Sequence, residues 1–168
     1  MKSLSYCILA YIALGVQLAL SGYVEIGGAG PNLVLLVVIF VAVNGTREQA
    51  LLGGFFLGLL QDLLTLHPMG TWALAYALVA MLVFSMQEVV YREHPLTHFF
   101  LALLGGILCG MVLTAHAVVY PLLHKGSNPG AAVGLFGGAV YTAVLAPIVL
   151  GILQRMKGAF GFRRRAAK

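Results

Sequence analysis

Few residues in this chain have types and spacing that could do chemistry, and Asp62 is the one that stands out. The stretch runs Ala50-Leu-Leu-Gly-Gly54-Phe-Phe-Leu-Gly58-Leu-Leu-Gln-Asp62. Ala50, Gly54, Gly58 and Asp62 recur every fourth residue, so a helix puts them on one face. A carboxylate at the end of a small-residue stripe admits three readings. It can sit at a membrane interface, wetted by the following loop and capping the next helix. It can make a buried structural hydrogen bond to another helix. It can also couple the movement of a proton or an ion. Catalysis or metal binding would need company, and Asp62 has none in its own segment. His116, Glu25, His67, His124 and the pair Gln87/Glu88 are scattered, with no ligand spacing such as two His at i and i+4 with a Glu. Cys7 and Cys109 both fall in apolar runs, which suits small hydrophobes better than a metal site or a disulfide.

The elements that must hold these residues are dictated by composition. The chain is 61% hydrophobic and 9% charged over 168 residues, with a mean hydropathy of +0.98. Soluble domains carry roughly 25% charged residues, so this one is expected to be covered by lipid. A span needs ~20 apolar residues, and six spans would use nearly the whole length. The expected class is all-α: a polytopic membrane protein built as a compact bundle of six transmembrane helices. A transmembrane barrel would show alternating polarity, whereas Leu33 to Val43 is continuously apolar. Residues 1–154 form a single six-span domain on this reading, and 155–168 a basic cytoplasmic tail.

Punctuation sets the boundaries. Pro31, Pro68, Pro95, Pro121 and Pro129 fall between apolar runs, where a missing N–H costs least. The spans are expected at about Leu4–Gly22, Leu33–Val43, Ala50–Leu66, Thr71–Tyr91, Phe99–Tyr120 and Ala132–Leu153. The second is short for a bilayer: it either extends into Asn44-Gly45-Thr46 or crosses a thinned region. Pro147 lies inside the sixth span and predicts a kink. The segment Leu4 to Leu20 is longer than the core of a usual signal peptide, and it reads as a retained first span.

Orientation follows from the basic residues, which stay on the cytoplasmic side. With the N-terminus inside, Lys2, Arg47, Arg92 and the tail residues Arg155, Lys157, Arg163, Arg164, Arg165 and Lys168 all lie inside. Only Lys125 lies outside. Both termini are therefore expected in the cytoplasm. The tail charges, interleaved with Phe160 and Phe162, suit anionic lipid headgroups or a cytoplasmic partner. They make no nucleic-acid footprint, which would need a groove-facing element as well.

Small residues predict how the spans pack. Besides the Ala50–Gly54–Gly58 stripe there are Gly106/Gly110, Gly130/Gly134 and Gly134/Gly138, a spacing that lets helix backbones approach. Glu88 and Gln87, beside Arg92 and Glu93, are explained by snorkelling at the inner interface.

The segment Gly58-Leu-Leu-Gln-Asp62, followed by Gly70 opening the next span, resembles the rod shape-determining protein MreD family. So does the order of the chain: Pro31 before a short second span, a third span ending G-L-L-x-D, and a short basic C-terminal end. The resemblance implies a non-enzymatic component of the bacterial cell-elongation machinery in the inner membrane, with no cofactor and no catalytic residue. Gly58, Asp62 and Gly70 are the positions the resemblance carries over, and Gly54 joins them as a helix-packing position on the small-residue stripe. It implies an MreC-like single-span partner, action with MreB, and association with a RodA-like glycosyltransferase and its penicillin-binding transpeptidase. The family also looks similar in fold to the S-components of energy-coupling-factor transporters.

That similarity keeps a second class open, a small substrate-binding transporter component. Its pocket would draw on Asp62, His116, Glu25, Gln17 and Tyr141, few polar groups for such a site. A third class, an enzyme acting on lipid phosphates, would need several carboxylates or basic clamps, where only one carboxylate, Asp62, lies on a span's polar stripe and no basic residue accompanies it.

Overall fold

The computed structural model describes residues 3–20, 23–24, 30–65, 69–86, 95–123 and 131–156. These form six helices: α1 (Ser3–Leu20), α2 (Leu33–Asn44), α3 (Arg47–Thr65), α4 (Thr71–Ser85), α5 (Pro95–Leu123) and α6 (Ala131–Arg155). No strand occurs among the described residues. By length and composition, Leu96–His116 of α5 and Phe136–Arg155 of α6 are long and apolar enough to cross a membrane. Ile8–Ala19, Leu33–Asn44 and Thr71–Ser85 are shorter apolar helices.

The short α2 is the middle of the molecule. Every residue from Val34 to Val43 is buried, and α2 packs against each of α1, α3, α4, α5 and α6. A helix that is apolar all round belongs in a core, which accounts for LVLLVVIFVAV having no polar face. Its twelve residues reach only ~18 Å. The helix runs one residue past the expected Val43, to Asn44, and protein sheathes it along its length.

Around α2, the pairs α3–α4 and α5–α6 pack as two hairpins joined by α4 against α5. Glycines set the close approaches. A Cβ on Gly106 would lie 2.7 Å from Ala139 Cβ across the α5–α6 contact. Gly110 faces the Phe136 ring, and Gly105 faces Val79, Ile39 and Leu35 at the centre. Gly138 admits the backbone oxygen of Gly30. Gly130 lies outside the described residues, and Gly134 sits in α6.

Large apolar side chains point outward. Phe55, Phe56, Leu60 and Leu63 of α3, Phe100 and Met111 of α5, and Val140, Val144, Ile148 and Ile152 of α6 are all exposed. An exterior this apolar would aggregate in water and suits lipid. α1 is the peripheral helix: Leu9, Ala10, Ala13 and Leu14 are buried against the bundle, and α2 is the element it chiefly packs on.

The helix ends follow local chemistry. Thr46 and Gln49 form a reciprocal capping box at the start of α3: Gln49 N donates to Thr46 Oγ1 at 3.4 Å, and Thr46 N to Gln49 Oε1 at 3.2 Å. Gly45 N donates to Val41 O at 2.7 Å, closing α2. Several boundaries differ from the sequence expectation: α3 begins at Arg47, before the expected Ala50, and α5 at Pro95, before the expected Phe99. α5 runs through Pro121 to Leu123, because a proline this close to a helix end forfeits little more than one bond. α4 ends at Ser85, before the expected Tyr91, and residues 87–94 lie outside the described residues. α6 continues through Pro147.

Candidate functional site

The first four N–H groups of a helix have no partner within it. In an apolar bundle they must be served by side chains, and two such helix starts, those of α2 and α4, gather Gln61, Asp62 and Thr142 among the buried polar residues, while His98 is buried apart on α5.

At α4 the N-cap residue is Gly70, with φ +101° and no side chain to offer. Asp62, eight residues earlier on α3 and 1% exposed, supplies the acceptor instead. Its Oδ2 accepts from Gly70 N at 2.9 Å and Ala73 N at 3.3 Å, and its Oδ1 from Trp72 N at 3.0 Å. A carboxylate at this end also meets the positive pole of the helix dipole. The approach depends on Gly58, one turn below Asp62. A Cβ there would overlap Ala73 Cα and the Trp72 carbonyl oxygen. A Cβ on Gly54, a further turn below, would lie 2.9 Å from the Tyr76 carbonyl oxygen and 3.2 Å from Ala80 Cβ. The stripe Ala50–Gly54–Gly58–Asp62 therefore lies along α4, and Gly70 turns the chain into it.

At α2 three N–H groups are served from two sides. Gln17 of α1 reaches across with Oε1, accepting from Leu33 N at 2.6 Å and Val34 N at 3.2 Å. Asn32 Oδ1 accepts from Leu35 N at 2.9 Å. Asn32's own N–H donates to Thr142 Oγ1 of α6 at 2.8 Å, and Thr142 donates to Gly138 O at 2.7 Å.

Tyr76 joins the two helix starts. Its hydroxyl lies 2.9 Å from Asn32 Oδ1 and 2.7 Å from Gln61 Oε1, and its ring packs against Trp72 with centroids 5.4 Å apart. A hydroxyl has one proton for these two oxygens. Asn32 Oδ1 is fixed as an acceptor by Leu35, so turning the Gln61 amide to offer its nitrogen satisfies all the groups at once. Neighbouring residues of α3 thus divide the work: Asp62 serves the start of α4, and Gln61 links through Tyr76 to the start of α2.

The other sequence candidates lie apart from this network. Arg155 ends α6, whereas Lys157, Arg163, Arg164 and Arg165 lie outside the described residues, as do Glu25, His67, Gln87, Glu88 and His124. His116 is half-buried on α5, Tyr141 half-buried on α6, and Cys109 buried on α5. Among the described residues no three of His, Cys, Asp and Glu come together as metal ligands. Sequence reasoning missed Asn32, Gln61, Tyr76 and Thr142 as a set. Asn32 was detectable: an Asn after Pro31, immediately before an apolar run, is an N-cap signal. Gln61 stood beside Asp62 in the motif. Tyr76 and Thr142 give no local signal, because their partners come from other helices.

Comparison with curated proteins and with solved structures gives no match. A family model, described as rod shape-determining protein MreD, matches residues 1–156. The match takes in all six helices, both capped helix starts and the glycine stripe, and on that coverage the chain belongs to the rod shape-determining protein MreD family of bacterial membrane proteins.

Proposed function

We propose that this protein is a non-enzymatic scaffold of the bacterial cell-elongation machinery, acting by presenting a rigid helical bundle to a membrane-spanning partner. The observation that carries this reading is the engagement of Asp62. Its carboxylate is buried and committed to three backbone N–H groups. A general acid or metal ligand needs a free oxygen facing a substrate, whereas this geometry makes Asp62 a clamp between α3 and α4. Family membership supports the shape-determining role.

On this reading all six helices cross the inner membrane, with both termini in the cytoplasm. The distribution of basic residues supports that orientation, and the apolar exteriors of α3, α5 and α6 support lipid contact. The partners are an MreC-like single-span protein and, through it, MreB and the RodA-like glycosyltransferase with its penicillin-binding transpeptidase. The tail from Arg155 contributes affinity for anionic lipid.

Co-expression with the MreC-like protein of the same genome, followed by purification in mild detergent, tests the reading. Stoichiometric retention of the partner through size-exclusion chromatography is expected. Complete separation of the two proteins under conditions where this chain stays folded would sink it.

A further inference from the structure

We propose that this protein thins the bilayer on one side. Lipid along α3 and α4 is held to a hydrocarbon thickness of about 20 Å, while lipid along α5 and α6 keeps its ordinary ~30 Å. The partner of the α3–α4 surface is thus an annulus of short-chain lipid. The inference goes beyond the scaffold reading and rests only on the bundle lying in a membrane.

The first observation is a step between the two hairpins. Hydrogen bonds of the buried network tie Gln61 of α3, Tyr76 of α4, Thr142 of α6 and Asn32 at the head of α2 to one level. Toward one end, α3 runs fourteen residues from Gln61 to Arg47 and α6 thirteen from Thr142 to Arg155, about 20 Å in each. Both finish on an arginine, so that end is flush. Toward the other end, α3 goes on four residues to Thr65, and α4 begins five residues from Tyr76 at Thr71. α6 goes on eleven, to Ala131. It therefore overtops α3 and α4 by about 10 Å.

The second observation is the height of the apolar surface on each side. Exposed apolar side chains run from Leu52 to Leu64 on α3, and from Leu74 of α4 to Met86 at its cap, each about 18 Å of helix. On α5 they run from Leu96 to Val119, about 34 Å. On the α6 side they run from Phe136 to Met156, about 30 Å. Exposed Arg47 and Glu48 close the α3 surface at the flush end. Tilting cannot make up the deficit, since a tilted helix reaches less far across the membrane. A stretch shorter than the hydrocarbon draws the lipid down toward its own height.

A second copy or a partner helix over the short side would also remove the mismatch, but the surface is unsuited to one. Gly54 and Gly58 of α3 are turned onto α4, and Leu52, Phe55, Phe56, Leu60, Leu63 and Leu64 face out. Membrane helices associate through small or polar residues, and this face offers neither. Lipid chains need neither.

The test places the full chain alone in vesicles of phosphatidylcholine that mix fourteen-carbon and eighteen-carbon monounsaturated chains, one of the two brominated. Brominated chains quench a tryptophan beside them, so quenching reports which lipid occupies each surface. Phe56→Trp on α3 and Ile148→Trp on α6 are the reporters, both at exposed positions. The wild-type chain, whose one tryptophan is Trp72, is the blank. Leu78→Trp on α4 repeats the reading of the short side should Phe56→Trp not fold. The short side is expected to prefer the fourteen-carbon lipid about threefold, and Ile148→Trp to show no such preference. Equal preference at the two faces, or an eighteen-carbon preference on the short side, overturns the inference. Quenching of Ile148→Trp with none at Phe56→Trp overturns it in favour of protein covering that face. The scaffold reading is judged separately, by co-purification of the partner, and stands or falls without these results.

Discussion

The Asp62 carboxylate of α3 caps the start of α4 through the backbone N–H of Trp72, at 3.0 Å, and does so from a site that is 1% exposed. Helix caps usually come from the residue at the helix boundary. Here that residue is Gly70, chosen for its backbone, and the capping side chain is delivered by the preceding helix. The consequence is that the α3–α4 hairpin is closed by charge-assisted bonds as well as by packing, and those bonds are as strong as the hairpin is dry.

Replacing Asp62 by Leu therefore removes the acceptor for three N–H groups at once. Each buried donor left without a partner costs about 1–3 kcal/mol, so Asp62→Leu is expected to abolish a cooperative melt in detergent and to lose the partner with it. Asp62→Asn keeps one amide oxygen and should cost about 1–2 kcal/mol, visible as a lowered Tm with partner retention only modestly reduced. Equal melting of Asp62→Leu and wild type in a fluorescence-detected thermal scan would refute the clamp.

The glycines of the bundle should rank by what stands opposite them. At Gly58 an added Cβ meets the backbone of Trp72 and Ala73, which cannot step aside; at Gly105 the nearest atom is Val79 Cγ1 at 3.2 Å, the end of a side chain. Gly58→Ala is expected to cost about 2–3 kcal/mol, at the upper end for an overpacked site. Gly105→Ala should cost less than about 1 kcal/mol, because the gain in helix propensity offsets a small shift. Gly54→Ala falls between. Melting of the three purified variants gives the order directly, and a Gly105→Ala more damaging than Gly58→Ala would contradict it.

Tyr76 ties three helices through one hydroxyl, so Tyr76→Phe should be felt beyond its own site. Interhelical hydrogen bonds in membranes average about 0.6 kcal/mol and reach about 1.7. The larger value is expected here, since Asn32 and Gln61 lose a shared partner. In a double-mutant cycle, Tyr76→Phe combined with Gln61→Leu should cost less than the sum of the two. Strict additivity would show that the hydroxyl does not link Gln61 to the start of α2.

The parts legible in the sequence were those carried by neighbours along the chain. Apolar runs and prolines located six helices to within a few residues at most ends, and the four-residue recurrence from Ala50 to Asp62 put one face of α3 in register before any contact was known. Capping of the next helix stood among the open readings for Asp62. The centrality of α2 was harder to read, although a helix without a polar face carries that signal; its length drew attention to the bilayer in place of the surrounding helices. The Asn32–Tyr76–Gln61 link was not legible, because its members are separated by 44 and 15 residues and meet only when α2, α3 and α4 are packed. Pro121 misled in the other direction, since a proline near a helix end looks in sequence like the end itself.

Gly70 separates two causes that usually come together. An added Cβ there meets nothing within 4 Å, yet φ is +101°, so any cost of substitution is backbone strain alone. Side chains in this region cost roughly 1–2 kcal/mol, and Asn tolerates it better than other residues. Gly70→Ala is expected to lower stability by about that amount and Gly70→Asn by about half. Gly70→Val should be worse than either because of its branched Cβ. The turn also aims the Trp72 and Ala73 N–H groups at Asp62, so strain at residue 70 should weaken the cap as well. In that case Gly70→Ala combined with Asp62→Asn costs less than the two changes summed. Hydrogen exchange at the Trp72 and Ala73 amides measures this directly: both should exchange faster in Gly70→Ala, while amides in the middle of α4 stay protected. Unchanged protection at Trp72 would mean that the left-handed turn and the Asp62 cap are independent features of the hairpin.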